Sequence, residues 1–203
     1  MPIGSVCFLR HGCVTGIKRR WINKVARMAL KTTSLVLGGA SSGKSLFAER
    51  LVIVEDLPRI YIATAQAFDD DMSVKIARHR TRRGNDWQTI EAPEDLPGAL
   101  GTAPPAAPVL IDCLTLWLTN LLLGGHDIAP RLEALLDALS DRNGPVTIVS
   151  NDVSGGVIPE TSLGRQFQRI QGETNQRVAA MADLVVLVTA GLPLVLKGEL
   201  PIK

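Results

Sequence analysis

Apolar residues along the chain fall into short unbroken runs separated by stretches of helical period. Leu35-Val36-Leu37 is such a run, and it gives way to glycines. Beyond them Leu46, Phe47, Leu51 and Val54 recur at helical spacing and predict a helix over 45–56. Ile60 to Ala63 reads as a short strand, and Asp69-Asp70-Asp71 opens a polar helical stretch, with little core face, that runs to Arg83. Gly84-Asn85-Asp86 breaks it; a strand over Trp87 to Glu91 and a short helix over Glu94 to Leu100 follow. The proline-rich loop 103–108 leads into the apolar run Val109-Leu110-Ile111-Asp112. Leu114, Trp117, Leu118, Leu121 and Leu122 mark a helix ended by Gly124-Gly125, and Leu132, Leu135, Leu136 and Leu139 mark the next. Val146 to Val149 is a buried strand. Leu163, Phe167, Ile170, Thr174, Val178 and Met181 trace one face of a long helix, and Leu184 to Val188 is the last clear strand. Short apolar strands alternating with helices predict an α/β fold whose mostly parallel sheet is covered on both faces.

At 203 residues and 46% hydrophobic content the chain suits one domain with a sizeable core. Its formal charge of +2 hides an asymmetry. Residues 1–33 hold seven Lys/Arg and no acidic residue, which leaves fifteen basic against twenty acidic side chains, a net −5, in the body 34–203. A mildly acidic body argues against a nucleic-acid-binding surface. The basic segment 1–33 has apolar residues at loosely helical spacing, as a membrane-surface or targeting element would. Gly4, Gly12 and Gly16 interrupt it, however, and it is expected to be an extension outside the fold that carries no chemistry. Cys7, Cys13 and Cys113 follow no metal-binding spacing, and no apolar run reaches the roughly 18 residues of a membrane span. A cytoplasmic location is expected.

Gly38-Gly39-Ala40-Ser41-Ser42-Gly43-Lys44-Ser45 matches the phosphate-binding pattern G-x-x-x-x-G-K-[ST] in its proper setting, after a strand and before a helix. Small residues let successive N–H groups turn toward phosphate oxygens, and the helix adds the positive end of its dipole. Lys44 reaches the terminal phosphates, and the Ser45 hydroxyl is placed for a bridging magnesium ion. Asp112, at the C-terminal end of a strand, can hold the same metal or cap the helix that follows. His79 lies among Arg78, Arg80, Arg82 and Arg83. That cluster is either a solvated face or a site where neighbouring cations keep the imidazole neutral and nucleophilic while arginines neutralise phosphates. The polar loop 151–160, with Arg165, Asn175 and Gln176 beyond it, can bind ligand or simply be a long turn.

Taken with Tyr61-Ile62-Ala63-Thr64-Ala65, Arg78-His79-Arg80, Asp112 to Asn120, Ser150 to Ser154, Gly164-Arg165 and Asn175-Gln176, the phosphate loop gives residues 34 to about 198 a pattern that resembles the bifunctional adenosylcobinamide kinase / adenosylcobinamide-phosphate guanylyltransferase family of cobalamin biosynthesis. The resemblance implies a three-layer P-loop NTPase fold of the RecA-like kind. It implies phosphorylation of adenosylcobinamide, then transfer of GMP from GTP to the product through a guanylylated histidine, His79, giving adenosylcobinamide-GDP. Implied nucleotide contacts are Gly38, Gly39, Ala40, Ser41, Ser42, Gly43, Lys44, Ser45, Ala63, Thr64, Ala65, Arg80, Thr81, Arg82, Arg83, Glu91 and Asp112. Lys44 joins His79 as catalytic, and Ser45 and Asp112 as metal ligands. The implied partners are GTP, with ATP as an option for the kinase step, Mg2+, a corrinoid substrate and two further copies of the chain in a homotrimer. The chain departs from the family pattern at Ser41, where many relatives carry arginine, and in residues 1–33, which have no family counterpart.

Two other readings set the discriminating tests. A simple small-molecule kinase would use the phosphate loop and leave His79 dispensable. A nucleotide-controlled switch or partner-driven ATPase is disfavoured because Ser150-Asn151-Asp152 offers no lysine for the Asn-Lys-x-Asp guanine motif.

Overall fold

The computed structural model describes residues 32–52, 58–66, 81, 83 and 86–201. Seven strands, β1 (Thr33–Gly38), β2 (Arg59–Ala63), β3 (Trp87–Glu91), β4 (Val109–Asp112), β5 (Val146–Asn151), β6 (Leu184–Thr189) and β7 (Leu192–Lys197), form one sheet in the order β3-β2-β4-β5-β1-β6-β7. All neighbours are parallel except β6 and β7, which form an antiparallel hairpin. The helices with described bounds are α1 (Lys44–Val52), α2 (Leu96–Thr102), α3 (Leu114–Leu123), α4 (Ile128–Asp141) and α5 (Ser162–Met181).

Alternation along the strands divides the core. Leu35, Ile60, Ile62, Val109, Ile111, Val146 and Ile148 pack on one face with Leu96, Trp117, Leu118, Leu121, Leu135 and Val178 from α2 to α5. Val36, Tyr61, Leu110, Val149, Val186 and Val188 pack on the other with Ala48 and Val52 of α1. These are the three layers expected, with the RecA-like feature that one strand, β5, separates the phosphate-loop strand from the Asp112 strand.

Three expectations change. Thr33 opens β1 and is not part of an extension: its N–H donates to Asp183 Oδ2 at 2.8 Å, and the Thr32 carbonyl accepts from Val146. The remainder of the expected extension, 1–31, lies outside the described residues, as does most of the helical stretch expected over 69–83. β7 is a strand that hydrophobic periodicity does not reveal, because all six of its residues are exposed and Pro193 stands within it. Finally, β5 continues two residues past Val149, which turns the first residue of the supposed polar loop into a strand end.

Single side chains hold the connections. The buried Arg142 guanidinium donates to the carbonyls of Leu100, Ala103, Pro104 and Ala107, and so fixes the proline-rich loop that launches β4. Burial lowers its pKa from the usual arginine value. Lys197 donates to the carbonyls of Ala179 and Ala180, which closes the C-terminus of α5.

Candidate functional site

The glycine loop lies at the C-terminal end of β1, on the face that α1 covers. Gly38 has no room for a side chain: a Cβ there would stand 2.5 Å from Ser42 Oγ and 2.6 Å from the Val188 carbonyl. Gly43 takes φ = 93° and Ser41 φ = 58°, both left-handed, which the loop requires to curl. The α1 ladder begins with Phe47 N–H donating to the Gly43 carbonyl at 3.0 Å. The amides of Lys44, Ser45 and Leu46 therefore have no acceptor within the helix, as an anion site at a helix N-terminus needs. Lys44 Nζ is folded onto the Gly39 carbonyl at 3.1 Å. Ser42 Oγ is buried with no hydrogen-bond partner among the described residues. An orphaned donor inside the loop and a lysine resting on the loop's own carbonyl fit a triphosphate, whose oxygens would satisfy both.

Asp112 ends β4 beside Ala63 of β2, and its side chain falls on the α1 face. It is not a cap: Cys113 is the N-cap of α3 and makes no side-chain capping bond. The Tyr61 hydroxyl donates to Asp112 Oδ2 at 3.0 Å. Burial first and the Asp112 charge second hold Tyr61 well above the ordinary tyrosine range, so it stays a hydrogen-bond donor. The Arg83 guanidinium stacks on the Tyr61 ring, 3.2 Å from its centroid, with one terminal nitrogen buried and without a hydrogen-bond partner among the described residues. Oxygen donors from Ser45 and Asp112 suit magnesium, which keeps waters and shares ligands with phosphates. Among the described residues no cluster of three or more His, Cys, Asp or Glu forms a self-sufficient metal cage.

Behind these groups lies a buried clamp. Thr64 Oγ1 accepts from Cys113 N–H and donates to the Cys113 carbonyl, both at 2.7 Å, while Asn120 Nδ2 donates to the carbonyls of Thr64 and Pro93. The clamp fixes the tips of β2 and β4 and commits the Thr64 side chain to the protein, while Ala63 and Ala65 on either side of it are half-buried. Cys113 is pushed up to about 11, chiefly by burial and then by Asp112, so no thiolate is available at neutral pH.

Glu91 is exposed at the end of β3, level with Ala63. Gly39, Ala40 and Thr81 are exposed and Ser45 is half-buried, whereas His79, Arg80 and Arg82 lie outside the described residues. His126 faces Glu94 Oε2 at 3.1 Å, with no arginine in that contact. At the end of the 151–160 loop the carbonyls of Pro159 and Glu160 accept from Arg165 of α5, which is a loop-closing role. Gln176 is exposed, and Asn175 bonds Ser150, Gln171 and the Asn151 carbonyl. Sequence reasoning missed Tyr61, which looks like a core residue of a buried strand.

The family described as cobinamide kinase / cobinamide phosphate guanyltransferase matches residues 34–196. The bifunctional adenosylcobalamin biosynthesis protein CobP of Pseudomonas aeruginosa is 46% identical over 170 residues, 81% of this chain and 97% of that protein. The bifunctional adenosylcobalamin biosynthesis proteins CobU of Salmonella typhimurium and Escherichia coli are 39% and 36% identical over 181 and 179 residues, each match covering 80% of this chain and 98% of the relative. With a phosphate loop, a facing carboxylate and this degree of likeness along the whole described fold, the chain belongs to the cobinamide kinase / cobinamide phosphate guanyltransferase family.

Proposed function

We propose that the protein phosphorylates adenosylcobinamide and then transfers GMP from GTP to adenosylcobinamide phosphate, giving adenosylcobinamide-GDP in cobalamin biosynthesis. The observation that supports this most is the glycine loop with its orphaned Ser42 hydroxyl, facing Asp112 across the end of one strand, in a chain 46% identical to a bifunctional relative. In the kinase step Lys44 and the loop amides hold the terminal phosphates of GTP or ATP. Ser45 and Asp112 would hold a magnesium ion, which would supply charge neutralisation at the transferred group.

In the guanylyl step an imidazole nitrogen of His79 attacks the α-phosphorus of GTP. A nitrogen–phosphorus bond forms, the bond to the β-phosphate oxygen breaks, and pyrophosphate leaves. A phosphate oxygen of the corrinoid then attacks the same phosphorus and releases His79. Arg80, Arg82 and Arg83, with Thr81 and Glu91, hold the nucleotide around this exchange. The enzyme works as a cytoplasmic homotrimer; no described helix is long and apolar enough to cross a membrane.

Incubation with GTP labelled at the α-phosphate tests the reading. An acid-labile, base-stable protein adduct is expected, lost in His79→Ala while corrinoid phosphorylation survives. Adduct formation that persists in His79→Ala, or GMP located on His126 or a lysine, would overturn the assignment of His79; full guanylyl transfer without an adduct would mean direct transfer with no covalent step, and no guanylyl transfer at all would leave a simple kinase.

A further inference from the structure

Between the phosphate loop and Asp112 stands one residue that neither motif contains. β5 separates β1 from β4, and its last residue, Asn151, is level with Gly38. Ser150 points to the multi-helix face, where its hydroxyl donates to Asn175 Oδ1 at 2.7 Å and accepts from Gln171 Nε2 at 2.9 Å. Alternation therefore sends the Asn151 side chain to the opposite face, that of Val149, the phosphate loop and Asp112. Its backbone is pinned on every side. Asn151 N–H donates to Thr115 Oγ1 at 2.8 Å, its carbonyl accepts from Asn175 Nδ2 at 3.0 Å, and the next amide, Asp152 N–H, donates to the Gly38 carbonyl at 3.2 Å. Yet the side-chain oxygen Oδ1 is buried with no hydrogen-bond partner among the described residues.

A buried acceptor held this firmly, with no partner among the described residues and beside the phosphate loop, is placed to take a donor from a bound ligand. Phosphate oxygens cannot serve, being acceptors themselves. The reaction's own donor is the hydroxyl of the alcohol that attacks the terminal phosphorus. We propose that Asn151 is a catalytic residue of the kinase step, accepting the hydrogen bond of the attacking hydroxyl and aiming its oxygen lone pair at the phosphorus. The hydroxyl oxygen forms the new bond to phosphorus, and the bond to the β-phosphate oxygen breaks. The amide oxygen is too weak a base to take the proton, which passes late to a phosphoryl oxygen. Its contribution is orientation of the nucleophile, not proton abstraction. This inference rests on the kinase half of the proposed function and deepens it: the acceptor is a primary or secondary alcohol, read by its O–H.

The test compares Asn151→Ala with the wild-type full chain in three measurements: corrinoid phosphorylation at saturating ATP or GTP, nucleotide affinity, and formation of the protein–GMP adduct. Phosphorylation should fall about 100-fold in kcat, while nucleotide Kd, half-saturating magnesium and adduct formation stay within about threefold. Asn151→Asp, which keeps an oxygen acceptor in the same place, should recover at least about a tenth of wild-type kcat, and it serves if the alanine variant folds poorly. A parallel loss of all three activities in both variants would show that Asn151 merely supports the loop or the metal, and unchanged phosphorylation would show that it does not meet the acceptor; either overturns the inference. A wild-type protein that binds nucleotide and forms the adduct but phosphorylates no corrinoid overturns the kinase reading itself, and the inference with it.

Discussion

The two faces of the central sheet are built from one set of strands to opposite ends. On the face of α2 to α5, Trp117, Leu118, Leu121 and Leu135 are wholly buried, and polar inclusions such as Ser150, Gln171 and Asn175 bond to one another. The face under α1 carries Tyr61, Asp112, Asn151 and the glycine loop, with Ser42 Oγ and Asn151 Oδ1 left without partners. Gln171 Oε1 and Thr174 Oγ1 on the first face also lack partners among the described residues, but they are sealed beneath α5, whereas Ser42 and Asn151 lie at the strand ends beside the phosphate loop, where a ligand can satisfy them. The difference teaches that alternation along a strand can assign neighbouring residues to unrelated jobs, as it does for Ser150 and Asn151.

Substitutions that separate activity from stability test this division. Lys44→Ala should cut both nucleotide-dependent reactions by about 100- to 1,000-fold in steady-state assays while thermal unfolding stays near wild type; wild-type turnover would remove the phosphate-loop assignment. Trp117→Ala should do the reverse, costing about 3–5 kcal/mol in denaturant unfolding because a fully buried side chain and the indole bond to the Glu94 carbonyl are lost together. The molecules that remain folded should keep their activity.

The boundary between the faces is the Thr64 clamp, where both effects should mix. Thr64→Val leaves the buried Cys113 N–H without its acceptor, so a loss of about 1–3 kcal/mol is expected together with a several-fold loss of turnover as Asp112 shifts. A stability loss with no change in turnover would show that the clamp does not position Asp112.

The smallest effect concerns pH. Cys113 titrates near 11 in the folded protein against an ordinary value near 9, so above pH 9 the unfolded chain gives up this proton first. The folded state then binds more protons than the unfolded, and stability falls as pH rises from about 9 to 11. Tyr61, also raised, adds to the slope at the upper end. Cys113→Ala should flatten the 9-to-11 portion in pH-dependent unfolding.

How much of this was legible beforehand follows from what each residue must show on its own. The phosphate loop was readable because its geometry demands glycines at fixed spacing, and Gly38 confirms the demand by having no space for a Cβ. Asp112 was readable as a carboxylate ending an apolar run, though only the structure shows that the N-cap of the next helix is Cys113 and not Asp112. Tyr61 was not, since a hydroxyl aimed at a neighbouring strand looks the same in sequence as a core aromatic. Asn151 was hidden by the length of β5: read as the first residue of a loop, it had no face and hence no neighbours. Arg142 has no local signature in the sequence, because the four carbonyls it gathers lie some 35 to 42 residues away. β7 left no period to read, being exposed on both sides.

The β6–β7 turn has a consequence for the order in which the protein is made. Gly191 N–H donates to the Ser42 carbonyl at 2.8 Å, and the turn lies against Gly43. The loop emerges from the ribosome early, but its brace is among the last described segments to be synthesised, and both strands that flank β1 also come from the last third of the chain. A nascent chain stalled before residue 184 therefore holds the complete nucleotide motif without the framework that shapes it. A chain cut short before the hairpin should therefore fail to retain GTP in a filter-binding assay.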